Sequence, residues 1–274
     1  MRHEDFGWRN PDDPTRQNCQ LHYEIHGDPA AQPSIILLNG TLQTTLNWLP
    51  VAKPLSKQCA VLLYDARGQG QSDPGDRPLS RELHAADLLS LMDRLDIPSA
   101  RLVGISHGAQ VACAIAATAP DRVAGLLLCG AAAEPTARTR LILKSWRTVL
   151  KEGGLPALVW AALPHFFGDR FLEQNERMID GMAKAMIRRN SAASLAAHLE
   201  AISAYEPLKD LAADIRCPVT VMTGAEDPLA PPESAKALAG ALRGRFIEVS
   251  EAGHSLPAEA PEAFREALGA MIGG

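Results

Sequence analysis

Arg101-Leu102-Val103-Gly104-Ile105-Ser106-His107-Gly108-Ala109-Gln110 is the stretch that decides the fold. Leu102 and Val103 read as the end of a buried strand, and Val111-Ala112-Cys113-Ala114-Ile115-Ala116-Ala117 reads as a buried helix. Gly104-x-Ser106-x-Gly108 therefore stands at a strand–turn–helix junction, the context in which G-x-S-x-G carries information. So tight a turn leaves no room for a Cβ two positions either side of the serine, and it holds the serine itself at a strained backbone angle that presents Oγ. The helix start also aims backbone N–H groups, beginning with that of His107, at the place where a negative oxygen would form.

Similar strand-then-loop units lie on both sides. Cys19 to His26 reads as an edge strand, and Ser34-Ile35-Ile36-Leu37-Leu38 is a continuous apolar run that ends in Asn39-Gly40-Thr41. Ala60-Val61-Leu62-Leu63-Tyr64 stops at a glycine-rich loop, Asp65 to Asp73. Ser80 to Asp96 has helical spacing at positions 88, 91, 92 and 95, and Pro98 ends it. Val123 to Cys129 is another buried strand. From 134 to 207 the strand rhythm stops, and helical stretches are broken by Gly153-Gly154, Pro156, Pro164 and Gly168. It resumes at Pro218 to Thr223, followed by a helix, a last strand from Arg245 to Val249, and a closing helix with Phe264, Leu268, Met271 and Ile272. Strands alternating with helices predict an α/β fold with a doubly wound, mainly parallel sheet, the strand C-termini lying along one edge. The predicted division is a core over 19–133 and 208–274, a helical cap over 134–207 inserted before the last two strands, and an N-terminal arm over 1–18.

At 274 residues, 46% of them hydrophobic, the chain can bury a large core. A net charge of −5 offers no basic footprint for nucleic acid. No apolar run reaches the length of a membrane span, and Met1-Arg2-His3-Glu4-Asp5 lacks a signal-peptide core, so a cytoplasmic location is expected. Five widely spaced cysteines, without C-x-x-C or clustered histidines, argue against a disulfide framework or a zinc site; most read as small buried hydrophobes.

Three polar groups fall just past strand ends, in the order Ser106, Asp227, His254. Serine is a feeble nucleophile until a base takes its proton; an imidazole can do so near neutral pH, and a buried carboxylate fixes its tautomer and stabilises the imidazolium. Glu226, next to Asp227, is an alternative carboxylate. Asp65 and Arg67 read as braces of their loop. His165 and His198 read as structural or solvated.

With Gly104-Ile105-Ser106-His107-Gly108 and the run Tyr64-Asp65-Ala66-Arg67-Gly68-Gln69-Gly70-Gln71-Ser72, the chain resembles the α/β-hydrolase superfamily from about residue 20 to its end. The resemblance aligns Asn39-Gly40-Thr41 and Trp48 with the family's H-G-x and later Trp, Asn39 replacing the usual histidine. It implies Thr41 as the second oxyanion-hole donor beside His107. Asn39-Gly40 followed by Thr44-Thr45 is also similar, over a short stretch, to the loop of the hydroxyacyl transferases that make the lipid part of rhamnolipids. A serine nucleophile argues against the acid-nucleophile branches, dehalogenases and epoxide hydrolases. The expectation is a hydrolase of a carboxylic ester, thioester or lactone acting through an acyl-enzyme, with a small-molecule acyl substrate, no cofactor and no metal. Acyl transfer from a thioester, a triad-dependent perhydrolase or haloperoxidase activity, and a non-enzymatic ligand-binding role are the alternatives. A homodimer is left open. Trp146, Trp160, Phe166 and Phe167, with Met178, Met182 and Met186, suggest an adaptable apolar ceiling, though such residues are more often helix-packing core.

Overall fold

The computed structural model describes residues 19–28 and 34–273, so the arm read over 1–18 lies outside the described residues. Among them, seven short strands form one sheet: β1 (Tyr23–His26), β2 (Ile35–Leu38), β3 (Val61–Tyr64), β4 (Ala100–Ile105), β5 (Val123–Cys129), β6 (Val219–Gly224) and β7 (Arg245–Val249). Their spatial order is β1-β3-β2-β4-β5-β6-β7; β1 is antiparallel to β3 and every other pairing is parallel.

Side chains alternate between two faces along each strand, which explains why the strands read as unbroken apolar runs. Ile36, Leu38, Leu62, Leu102, Leu126, Leu128 and Val221 face one layer, packed with α2 (Arg81–Arg94), α3 (His107–Thr118) and α7 (Pro232–Ala241). Ile35, Leu37, Val61, Leu63, Val103, Ile105, Leu127 and Met222 face the other, packed with α1 (Thr45–Leu55) and α9 (Pro261–Gly273).

The connection order decides where a site can form. From β2 the chain crosses to β3 on one side, and from β3 it jumps back past β2 to β4. The loop after β2 leads into α1 on one face and the loop after β4 leads into α3 on the other, so the two diverge and leave a crevice at this switch point. Gly40, Thr41 and Ser106 lie on its two sides.

Between β5 and β6 come α4 (Ala137–Phe166), α5 (Asp169–Arg189) and α6 (Ala192–Ser203). They share an apolar cluster that also takes in Leu42 and Leu229 from loops at the sheet edge. α4 is bent at Gly154, whose φ of 76° and ψ of −178° leave the helical region, and Pro156 begins the second limb. α5 starts from Gly168. No helix is long and apolar enough to cross a membrane among the described residues.

The sequence reading missed α1, because Pro50 and Pro54 lie inside it and each removes a helical N–H. It also took most cysteines as buried. Cys113 and Cys129 are, while Cys19, Cys59 and Cys217 are only half-buried; all five are free thiols.

The elbow depends on close backbone approach. A Cβ on Gly108 would stand 2.3 Å from the Leu38 carbonyl oxygen, and one on Gly104 2.5 Å from the Ala109 nitrogen. Gly108→Ala is therefore expected to lower unfolding free energy by about 1–3 kcal/mol through overpacking against backbone, read by urea denaturation.

Candidate active site

Ser106 has φ 53° and ψ −113°, a left-handed conformation unfavourable for a residue with a side chain. Its N–H donates to the Cys129 carbonyl (2.8 Å), and α3 begins at the next residue, so the His107 N–H lies in a helical first turn without an internal acceptor. Gln69 Nε2 donates to the Gly40 carbonyl (3.2 Å) and the Gly40 N–H donates to Gln43 Oε1 (2.8 Å), which pins the turn bearing Thr41 on the opposite side.

Asn39, where the resemblance leads one to look for histidine, is the junction of three segments. Its Oδ1 accepts from Trp48 Nε1 (2.9 Å), and its Nδ2 donates to the Tyr64 carbonyl and Asp65 Oδ1 (3.1 Å each). Asp65 in turn accepts from the N–H groups of Thr45 (2.8 Å) and Gln71 (3.0 Å). Arg67 is engaged by Asp87 through two bonds of 2.8 and 2.7 Å. Both residues brace the loops, as read from the sequence.

Asp227 and His254 come together in a buried pair. Asp227 Oδ1 accepts from the N–H groups of Leu229 (2.8 Å) and Ala230 (2.9 Å), leaving Oδ2 for His254 Nδ1 at 2.7 Å. With Nδ1 donating to the carboxylate, Nε2 carries the lone pair. Nε2 is buried with no hydrogen-bond partner among the described residues, Ser106 Oγ included, yet both residues line the same two cavities. Glu226 points elsewhere and accepts the Asp169 N–H at the start of α5 (2.8 Å).

Four supports of His254 had no sequence signature. Gly130 underlies the ring: with φ 58°, a Cβ there would stand 2.7 Å from His254 Cε1. Phe166 lies nearly parallel to the imidazole, 6.4 Å between centroids. The Phe166 carbonyl, at the end of α4, accepts the N–H groups of His254 (3.2 Å) and Ser255 (3.0 Å). Glu259 accepts those of Gly168, Gly253 and Ser255 (2.7–2.8 Å). Burial raises the carboxyl pKa of Glu259, against the lowering effect of those three bonds.

Ser106 sits where two small cavities meet. One, about 150 Å³, is lined by Gly40, Thr41, Phe167, Met182, Met186 and, at its rim, Arg189. The other, about 110 Å³, is bounded by His107, Gln110, Trp146, Tyr205 and Glu206. Thr41, Ser106, Phe166 and His254 line both. Of the predicted ceiling, Trp160 and Met178 instead face solvent, at 45% and 61% exposure.

Of the two readings of His198, structural or solvated, the burial of its ring favours the first. His198 is buried against His107 and His84, with ring centroids 4.4 Å (His107–His198), 4.7 Å (His84–His107) and 6.5 Å (His84–His198) apart. His198 Nε2 bonds Thr41 Oγ1 (3.0 Å) and His107 Nε2 bonds the Tyr205 hydroxyl (3.3 Å). Both nitrogens of His84 and Nδ1 of the other two lack partners among the described residues. Desolvation lowers all three pKa values, to about 4 for His84 and about 3 for His198, so the rings are neutral at pH 7. These three are candidate metal ligands; sequence spacing alone does not cluster them.

The sequence model of the family described as "Alpha/beta hydrolase family" matches residues 35–267. "Putative carbamate hydrolase RutD" of Caulobacter vibrioides is 28% identical over 258 residues, covering 93% of this chain and 96% of that protein. "3-oxoadipate enol-lactonase 2" of Acinetobacter baylyi is 27% identical over 262 residues, covering 94% and 95%. The crystal structure of the enol-lactonase from Burkholderia xenovorans LB400 superposes with a TM-score of 0.85 at 29% identity, covering 93% of this chain and 97% of that one.

Two outcomes are expected. Gly130→Ala should push the imidazole off its floor and cost at least about tenfold in turnover, with only a modest drop in Tm; steady-state kinetics beside a thermal melt will separate the two. The histidine cluster faces Arg67 (held by Asp87), Tyr205, Thr41 and its own members. Its folded pKa values lie below the unfolded value of about 6.5, so its stabilisation is complete above pH 6.5 and drains away as pH falls through about 4 and on toward about 3. Urea denaturation across that window should show stability falling with pH, and less steeply in His84→Asn.

Proposed function

Because the chain belongs to the alpha/beta hydrolase family, we propose that it hydrolyses a small carboxylic ester or lactone through an acyl-enzyme on Ser106. The observation that carries this reading is the buried Asp227–His254 pair at 2.7 Å, with its imidazole opening onto the same cavities as the serine.

The reaction begins when His254 Nε2 takes the proton of Ser106 Oγ as the oxygen attacks the carbonyl carbon. Asp227 holds Nδ1–H and stabilises the imidazolium that results. The carbonyl oxygen becomes an oxyanion held by the N–H groups of His107 and Thr41, each worth about 3 kcal/mol of barrier. Nε2–H then protonates the departing alkoxide, which in a lactone stays tethered to the acyl group as its free hydroxyl end. Water enters, gives its proton to Nε2, attacks the acyl carbon, and Ser106 leaves with that proton restored.

Two cavities of about 150 and 110 Å³ meeting at the nucleophile suit a short acyl group on one side and a small leaving group on the other. Both have polar residues in their lining, Arg189 in one and Gln110 and Glu206 in the other, which favours small polar substrates over long lipid chains. The helices over 134–207 act as the cap that closes this space. The carbamate hydrolase and enol-lactonase relatives agree with attack on an activated carbonyl.

Short p-nitrophenyl esters and small lactones should turn over, and palmitoyl esters should not. Ser106→Ala should lose at least about 1000-fold in kcat while folding normally. A fluorophosphonate should add one mass label to the wild-type chain and none to the variant. Undiminished turnover by Ser106→Ala would refute the reading.

A further inference from the structure

The cluster of His84, His107 and His198 lies outside the hydrolytic machinery just described, apart from the backbone N–H of His107. It joins three elements far apart in sequence: α2, the first turn of α3, and α6 of the helical layer. One ring nitrogen from each lies within 4.8 Å of one from each of the others. Three points so spaced all fall within about 2.8 Å of a common centre, as plane geometry requires. A zinc ion held at roughly 2.0–2.1 Å thus needs each ring to move inward by about 0.7 Å, within the reach of small side-chain adjustments. We propose that His84, His107 and His198 form a binding site for one borderline divalent transition-metal ion, Zn²⁺ being the species that best suits three imidazoles.

Four observations support the assignment. The buried nitrogens without partners, both of His84 and the Nδ1 atoms of His107 and His198, are groups that ordinarily find a ligand when buried. The opposite nitrogens of His107 and His198 are engaged by the Tyr205 hydroxyl and Thr41 Oγ1. Each hydroxyl can accept from Nε2–H, and that tautomer leaves the Nδ1 lone pair for a metal, as in known zinc sites whose outer ring nitrogen is hydrogen-bonded. Arg67, the cation that acts on His84, is neutralised by its two bonds to Asp87. His107, Thr41 and Tyr205 also line the smaller cavity, so the cluster lies directly behind a wall of the pocket. The inference needs no step of the proposed hydrolysis, and its test reads binding rather than turnover.

Chelator-treated full-length protein is titrated with Zn²⁺ by calorimetry and by thermal melting, alongside His84→Asn, His198→Asn and, as a control outside the cluster, His165→Asn. One equivalent should bind per chain and raise Tm with concentration. His84→Asn and His198→Asn should each weaken binding at least about 100-fold, while His165→Asn leaves it intact. Absence of any heat or Tm shift, or binding that the two cluster variants leave unchanged, overturns the proposal. Should a cluster variant fail to fold, the visible spectrum of the Co²⁺-loaded wild-type chain decides: intense bands of a four-coordinate nitrogen site support it, and the weak bands of six-coordinate Co²⁺ overturn it.

Discussion

The tight backbone packing between α3 and the end of β2 is the constraint on which the site depends. Gly108 brings the first turn of α3 against the Leu38 carbonyl, and Gly104 lets the same turn fold back on β4. With both contacts made, Ser106 can only take φ 53°. That conformation costs about 1–3 kcal/mol, which the buried sheet supplies. It also keeps Ser106 at the wall of the two cavities that His254 lines and sets the His107 N–H in the helix's first turn. Geometry that a flexible loop would have to find at each turnover is fixed here by the core.

Around this fixed point, carboxylates are used for positioning as much as for charge. Asp65, Asp227 and Glu259 each accept backbone N–H groups from separate loops at the C-terminal edge of the sheet. Asp227 spends one oxygen on its own loop and the other on His254, so the imidazole inherits the rigidity of β6. Asn39, at the position where the resemblance leads one to look for histidine, joins Trp48, Tyr64 and Asp65 through one amide.

Local chemistry made much of this legible beforehand. Strands buried on both faces appear as apolar runs, and Ser106, Asp227 and His254 each follow one within a few residues. The serine turn carries its own steric signature. What escaped was long-range or contradicted by local preference. Pro50 and Pro54 hid α1 because an isolated helix would not tolerate them, whereas burial of Trp48, Val51 and Leu55 sustains it here. Gly130 looks like any glycine after a strand until the His254 ring is laid against it. Histidines at 84, 107 and 198 have no common spacing, and their meeting depends on α6 folding over the nucleophile helix. Trp160 and Met178 read as part of the apolar ceiling by their chemistry, but the helices turn those positions outward.

The helical layer is more than a roof. One carbonyl, that of Phe166 at the end of α4, holds the main chain on both sides of the His254–Ser255 peptide. Exchange of the segment between β5 and β6 with that of a relative, a common route to new specificity, would thus also redraw the loop that carries the imidazole. A chimera keeps His254 in register only if the graft delivers a free carbonyl at that point, so variation of the helical layer in this scaffold is tethered to a single main-chain oxygen.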